Sequence, residues 1–121
     1  MPGVDDGIRF PAPQLRAWTE QVFQRVGVSK DDAVLLTDSL IEANLRGVDT
    51  HGITRMLCTY VKRMQVGVVN PKTQLTVLRE YPSTALVDGK NSIGQVVSNV
   101  AMRMALDKAK KTGVAFVATT H

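Results

Sequence analysis

The stretch most restrictive of fold is residues 84–120. It reads "TALVDG", then "SIGQVVSNVAMRMALDKAKKTG", then "VAFVATT". The middle segment places Ile93, Val96, Val97, Val100, Met104 and Ala105 on one stripe at helical spacing, and Gly113 supplies a stop. The flanking runs are short, apolar and rich in β-branched residues, as buried strands are. Two strands joined through a helix fit a right-handed crossover, so 84–120 is predicted to be a βαβ unit. "QLTVLREY" (74–81) alternates well enough to add a third strand. The expected class is α/β, with N-terminal helices followed by the start of a mixed sheet.

Upstream, residues 1–12 are punctuated by Pro2, Gly3, Gly7 and Pro11 and read as a flexible arm. Residues 13–68 form a helical region. Its first helix carries Leu15, Trp18, Val22 and Phe23 on one face and stops near Gly27. Ser29 with Asp32 resembles a capping box for the second, whose apolar side holds Ala33, Leu36, Leu40, Ile41 and Ala43/Asn44. Gly47 ends it. Asp49 or Thr50 can cap a third helix through Ile53, Met56, Leu57, Tyr60, Val61 and Met64. Residues 69–121 are then the β-β-α-β portion of an α/β domain. The chain stops at "ATTH" with no closing turn or helix, so the domain is expected to be incomplete, a truncated piece.

Cys58 is the only cysteine, so no internal disulfide forms, and a reducing, cytoplasmic setting is the default. Cys58 is expected to pack as a small hydrophobe. No apolar run approaches the roughly 20 residues that span a bilayer, so no membrane partner is expected. Two histidines and one cysteine without clustered carboxylates argue against a metal site. The net charge of +4 is uneven: residues 1–54 hold five basic and eight acidic side chains, residues 55–121 ten and three. A basic half can be a solvated face or can meet an anionic partner. Lys108, Lys110 and Lys111 have a local purpose at a helix end, where positive charge complements the macrodipole. With three Phe, two Tyr and one Trp, a base-stacking surface is poorly supplied, and no nucleic acid partner is expected. A small basic helical binding module for an anionic partner, read out as salt-dependent binding to nucleic acid or acidic surfaces, stays open as the alternative, as does an inactive truncated product.

Two short segments could carry chemistry. "GKNSIG" (89–94) lies between a strand and a helix, where backbone N–H groups could face an anion. Gln95 and Val96 stand where a phosphate loop needs Lys and Ser/Thr, and the spacing is not GxGxxG. From the residues alone, a tight turn into a helix cap is the plainer reading of the segment. "DTHGITR" (49–55) sets His51 and Arg55 four residues apart at a helix start. On one helical face they would suit a small carbonyl-bearing acid. The guanidinium would grip the carboxylate, and the imidazole would give a proton to the developing alkoxide. By spacing alone, a surface histidine beside an unrelated arginine is the plainer reading.

The order "EANLRGVDTHGITRM", "ALVDGKNSIGQVV", "ALDKAKKTGVAFVATTH" resembles the type-2 malate/L-lactate dehydrogenase family, from about residue 31 to the end. The resemblance implies an oxidoreductase that moves a hydride between NAD or NADP and a small 2-oxo/2-hydroxy acid such as malate or lactate. It implies a non-Rossmann fold, so the missing GxGxxG is no objection, and a homodimer. His51 matches the family's proton donor or relay. Thr50 stands where many members have Ser. Arg55 matches the arginine that holds the substrate carboxylate. Asp88, Gly89 and Gly94 match a loop near the active-site region, a cofactor-binding assignment. Family chains continue with a Ser-x-His-Phe-Gly segment, and His121 falls a few residues short of its histidine. The 121 residues alone are therefore expected to be inactive.

Overall fold

In the computed structural model, residues 8–121 are described. Four helices precede or flank three strands: α1 (Ala12–Arg25), α2 (Lys30–Leu45), a short 3-10 turn (Asp49–His51), α3 (Ile53–Gln65), β1 (Thr76–Glu80), β2 (Thr84–Asp88), α4 (Gly94–Thr112) and β3 (Phe116–Thr120). The sheet order is β1-β2-β3. β1 runs antiparallel to β2, with an irregularity between Val77 and Arg79, and β2 runs parallel to β3 from Thr84↔Phe116 to Asp88↔Thr120. This is the mixed α/β arrangement with a βαβ unit expected from residues 84–120.

Local chemistry sets the helix ends. Ser29 Oγ accepts the Asp32 N–H at 3.2 Å, and Asp31 and Asp32 sit where the helix dipole favours negative charge. Gly113 ends α4 with φ +84, and its N–H reaches the Ala109 carbonyl at 2.7 Å. That left-handed conformation is the reason for glycine there.

One apolar cluster joins the helices. Phe23 of α1, Leu36, Leu40 and Ile41 of α2, and Ile53, Leu57 and Met64 of α3 pack with Ile93 and Val96 at the start of α4. Burying side chains of this size is worth about 1.5–3 kcal/mol each. The important member for position is Ile93. It plugs the first turn of α4 into the helical core, so α4 starts beside α2 and α3 while its remainder crosses the sheet.

Four sequence expectations are corrected. Trp18 is 54% exposed, because α1 turns Thr19 and Phe23 inward and Trp18 falls to the side. Cys58 is exposed: α3 buries the neighbouring Leu57, and the next residue points away. The last strand is shorter than 114–120 and is not a buried strand, with Phe116 68% exposed. It forms the sheet edge and packs against α4, without a further described strand beyond it. Lys108 does more than complement a helix terminus. Its ammonium donates to Glu80 Oε1 at 2.8 Å and to the Tyr81 carbonyl at 2.7 Å, tying α4 to the end of β1. This contact holds the Glu80 carboxyl below its ordinary pKa. Of the arm expected over 1–12, residues 1–7 lie outside the described residues, and α1 already begins at Ala12.

Thr19 and Thr37 are fully buried, and their hydroxyls have no hydrogen-bond partner among the described residues. A buried hydroxyl without a hydrogen bond costs about 1–3 kcal/mol. Thr37→Val keeps the shape and removes the hydroxyl. It should raise stability to denaturant by about 1 kcal/mol, read as a higher midpoint at unchanged slope.

Candidate functional site

The "DTHGITR" segment is not one helix. Asp49–His51 form a 3-10 turn, Gly52 is extended at φ −90, ψ −169, and α3 begins at Ile53. His51 and Arg55 therefore do not stand one turn apart on a continuous helical face, contrary to the expectation from spacing. Neither Asp49 nor Thr50 caps α3. The cap comes from α2: Asn44 Oδ1 accepts the Ile53 N–H at 2.8 Å. The same carboxamide donates through Nδ2 to Asp49 Oδ1 at 2.6 Å. Only this orientation of the amide matches a donor to the carboxylate and an acceptor to the backbone N–H.

Gly52 is where the chain passes against that amide. A Cβ on Gly52 would lie 2.2 Å from Asn44 Oδ1 and 2.3 Å from its Cγ. The glycine is thus required by close approach rather than by its φ. Asn44 is the residue that sequence reasoning missed, having been placed on the apolar side of α2. A carboxamide on a core-facing stripe needs partners, and that need was the available signal.

Within the loop, Thr50 Oγ1 and His51 Nδ1 share a hydrogen bond of 3.0 Å. Both residues are exposed. Arg55 is also exposed, and among the described residues its guanidinium has no ion-pair partner. Arg55 thus offers a cationic group and His51 a proton-exchanging group.

A second constellation lies where the parallel strands end and α4 begins. Asp88, at the end of β2, is buried. Its Oδ1 accepts the Lys90 N–H at 2.9 Å, Oδ2 meets Lys90 Nζ at 3.0 Å, and His121 Nδ1 lies 3.4 Å from Oδ1. The Lys90 backbone bond is the main reason the Asp88 carboxyl sits below its usual pKa, aided by the Lys90 side-chain bond. Residues 89–92 make a tight turn: the Ser92 N–H reaches the Gly89 carbonyl at 2.8 Å, with Lys90 and Asn91 both at φ +53. Positive φ at both central residues is the mark of a type I′ turn. Gly89 packs closely, since a Cβ there would lie 3.0 Å from the His121 carbonyl and from Val97. Gly94, by contrast, has open space before it. It borders a cleft of about 140 Å³ lined by Ser92, Gly94, Val97, Ser98, Thr119, Thr120 and His121. The cleft includes neither His51 nor Arg55. One polar link joins the two regions: Gln95 Nε2, in the first turn of α4, donates to Tyr60 Oη of α3 at 2.8 Å. Among the described residues no group of three or more His, Cys, Asp or Glu could hold a metal. No described helix is long and apolar enough to cross a membrane.

A sequence profile described as malate/L-lactate dehydrogenase matches residues 10–121. The chain belongs to the malate/L-lactate dehydrogenase family. It is 40% identical over 114 residues to the malate dehydrogenase of Pyrococcus abyssi, covering 94% of this chain and 31% of that protein. It is 40% identical over 100 residues to the L-sulfolactate dehydrogenase of Methanocaldococcus jannaschii, covering 83% and 29%. The solved malate dehydrogenase of Pyrococcus horikoshii OT3 superposes with a TM-score of 0.91 at 39% identity, covering all of this chain and 36% of that one. The chain thus spans about a third of the length of these members of the malate/L-lactate dehydrogenase family.

Two measurements probe the geometry. Gly52→Ala must displace the Asn44 amide and should cost about 1–3 kcal/mol of stability, since both amide hydrogen bonds are strained or lost. A wild-type denaturation midpoint would contradict the close approach. Lys90→Met removes the side-chain contacts but keeps the backbone bond, so it should raise the Asp88 pKa only part of the way toward the ordinary carboxylate value, as followed by NMR titration. The sign follows from the depressed carboxyl. Its ionised form is favoured in the fold, so the stabilisation is present above the ordinary Asp pKa and is lost as pH falls through the lower, folded value.

Proposed function

We propose that this chain carries the acid-binding and proton-donating part of a 2-hydroxy acid dehydrogenase that uses NAD or NADP. The observation that carries the proposal is the Thr50–His51 hydrogen bond at 3.0 Å, in a family chain whose Arg55 has no ion-pair partner among the described residues. In the imidazolium form Nδ1–H donates to the Thr50 hydroxyl, and Nε2–H is the proton left free for a substrate; once it is given, the ring is a neutral imidazole. Arg55 would hold the substrate carboxylate through its fork of N–H donors. In the direction of reduction, His51 would protonate the carbonyl oxygen as it becomes an alkoxide.

The cofactor's contribution, when bound, is the transfer of hydride to or from the substrate carbon. The fit of the second constellation is partial. Gly94 offers unobstructed backbone at the first turn of α4, and Ser92, Ser98, Thr119 and Thr120 border the cleft with hydroxyl-bearing side chains. These suit a phosphate or ribose hydroxyl. Gly89 and Asp88 keep the turn beside it closed through packing and the Lys90 bonds. A cleft of about 140 Å³ holds one portion of a dinucleotide, since whole ligands of drug size take roughly 300–1,000 Å³. The 121 residues by themselves are therefore expected to show no turnover. The substrate class follows from the relatives named malate and sulfolactate dehydrogenase; a homodimer in the cytoplasm completes the proposal.

The test is kinetic, on the protein at its natural length, following NADH or NADPH absorbance with oxaloacetate, pyruvate and sulfopyruvate. His51→Ala should lower kcat by about 10²–10⁴-fold, the usual contribution of a positioned general acid. Arg55→Ala should mainly raise KM for the acid. Wild-type kinetics in both variants would refute the assignment.

A further inference from the structure

We infer that Asn44 is a positioning residue for His51: its carboxamide fixes both ends of the Asp49–Ile53 loop to α2 and so determines where the imidazole stands. The inference rests on His51 acting as the proton donor proposed above. Its own basis is geometric. Asn44 is half-buried on α2, while Asp49, Thr50 and His51 are all exposed on a short 3-10 turn. A three-residue turn of this kind has little apolar burial of its own to hold it. Beside the backbone bonds, among them the Val48 N–H to the Ala43 carbonyl of α2 at 2.8 Å, the side-chain tethers from α2 come from Asn44. Nδ2 takes the Asp49 carboxylate at 2.6 Å on the near side of His51, and Oδ1 takes the Ile53 N–H at 2.8 Å on the far side. Between them Gly52 lies against the amide, with room for no Cβ. The loop is thus gripped at three successive points around the histidine: before it, immediately after it, and at the first amide of α3.

Asn44 itself contributes no proton and no ligand contact. Its effect passes through His51, by keeping the Thr50–His51 pair in place relative to α3, where Arg55 resides. A displacement of about 1 Å in a catalytic group can cost up to 10²-fold in rate, so release of the loop should be visible in kcat.

The hydrogen bond to Asp49 can be inverted without being lost. In the double variant N44D/D49N the carboxylate and the amide exchange places, and the carboxylate at 44 still accepts the Ile53 N–H. The single variant N44D keeps that acceptor but sets two carboxylates against each other. The experiment measures kcat, KM and the pH dependence of kcat for Asn44→Ala, N44D, N44D/D49N and His51→Ala in the protein at its natural length. Asn44→Ala and N44D should lose kcat about 10–100-fold, with KM for the acid within about threefold of wild type. N44D/D49N should recover most of the rate and the wild-type pH profile. A loss of folded protein alone would scale the rate without moving the pH profile of kcat, so the profile separates positioning from stability. If His51→Ala is harmless, the proton-donor assignment fails. If His51→Ala is crippled while N44D keeps wild-type kcat, the Asn44 inference fails alone. If both singles are crippled and the exchange restores nothing, the Asn44–Asp49 bond is not what positions the loop, and the inference is overturned. Should Asn44→Ala not fold, the comparison of N44D with N44D/D49N decides the matter by the same criteria.

Discussion

The Asn44 side-chain amide clasps the loop that carries the candidate chemistry to the helical core. Asn44 sits in the last turn of α2, a helix anchored by fully buried Leu36, Leu40 and Ile41. Its carboxamide spans to Asp49 and to the first N–H of α3. A helix N-terminus leaves several N–H groups without intrahelical partners, and the usual remedy is a local Ser, Thr, Asp or Asn. Here the remedy comes from nine residues upstream. The consequence is mechanical as well as energetic: α2 and α3 cannot shift relative to one another without disturbing the segment between them. Ile53 and Leu57 pack into the same cluster as Leu40 and Ile41, so apolar burial and the polar clasp hold the same joint.

The second region depends on a different set of forces. The parallel pairing of β2 with β3 brings Asp88 and Thr120 into register. The Gly89 N–H donates to the Thr120 carbonyl and the Asn91 N–H to the His121 carbonyl, each under 3 Å. The left-handed turn at Lys90 and Asn91 then redirects the chain to Ile93, which the helical core receives. A crevice at the carboxyl ends of parallel strands, beside a helix start, is a common place for ligands in α/β folds. The helical core thus touches both regions, with Ile53 following the His51 loop and Ile93 preceding the cleft. The Tyr60–Gln95 hydrogen bond adds a polar connection between the same two helices.

Much of this architecture was legible in the residues, because burial periodicity and turn chemistry are local signals. Ile93, Val96 and Val97 declared the inner face of α4, Ser29 with Asp32 declared the start of α2, and the strand–helix–strand order declared the parallel pair. The failures share a cause: they depend on what lies across space. Trp18 is apolar and in a helical stripe, yet the stripe turns away from α2 at that position. β3 has the composition of a buried strand but occupies the edge. At the candidate site, the types and spacing of Thr50, His51 and Arg55 suggested chemistry, while the break at Gly52 did not show. That break exists because Asn44 occupies the space a side chain would need, and a contact between residues 44 and 52 leaves no periodic trace. The resemblance in "RGVDTHGITR" pointed to the right family where spacing alone left two readings open.

The central claim is that one small organic acid engages His51 and Arg55 together. It is tested most directly by NMR on the protein at its natural length with cofactor bound, titrating in oxamate, an unreactive analogue of a 2-oxo acid. The imidazole nitrogens of His51 and the guanidinium Nε of Arg55 should shift along a single saturating curve with one dissociation constant. Saturable oxamate binding that moves only one of the two groups, or neither, would contradict the account.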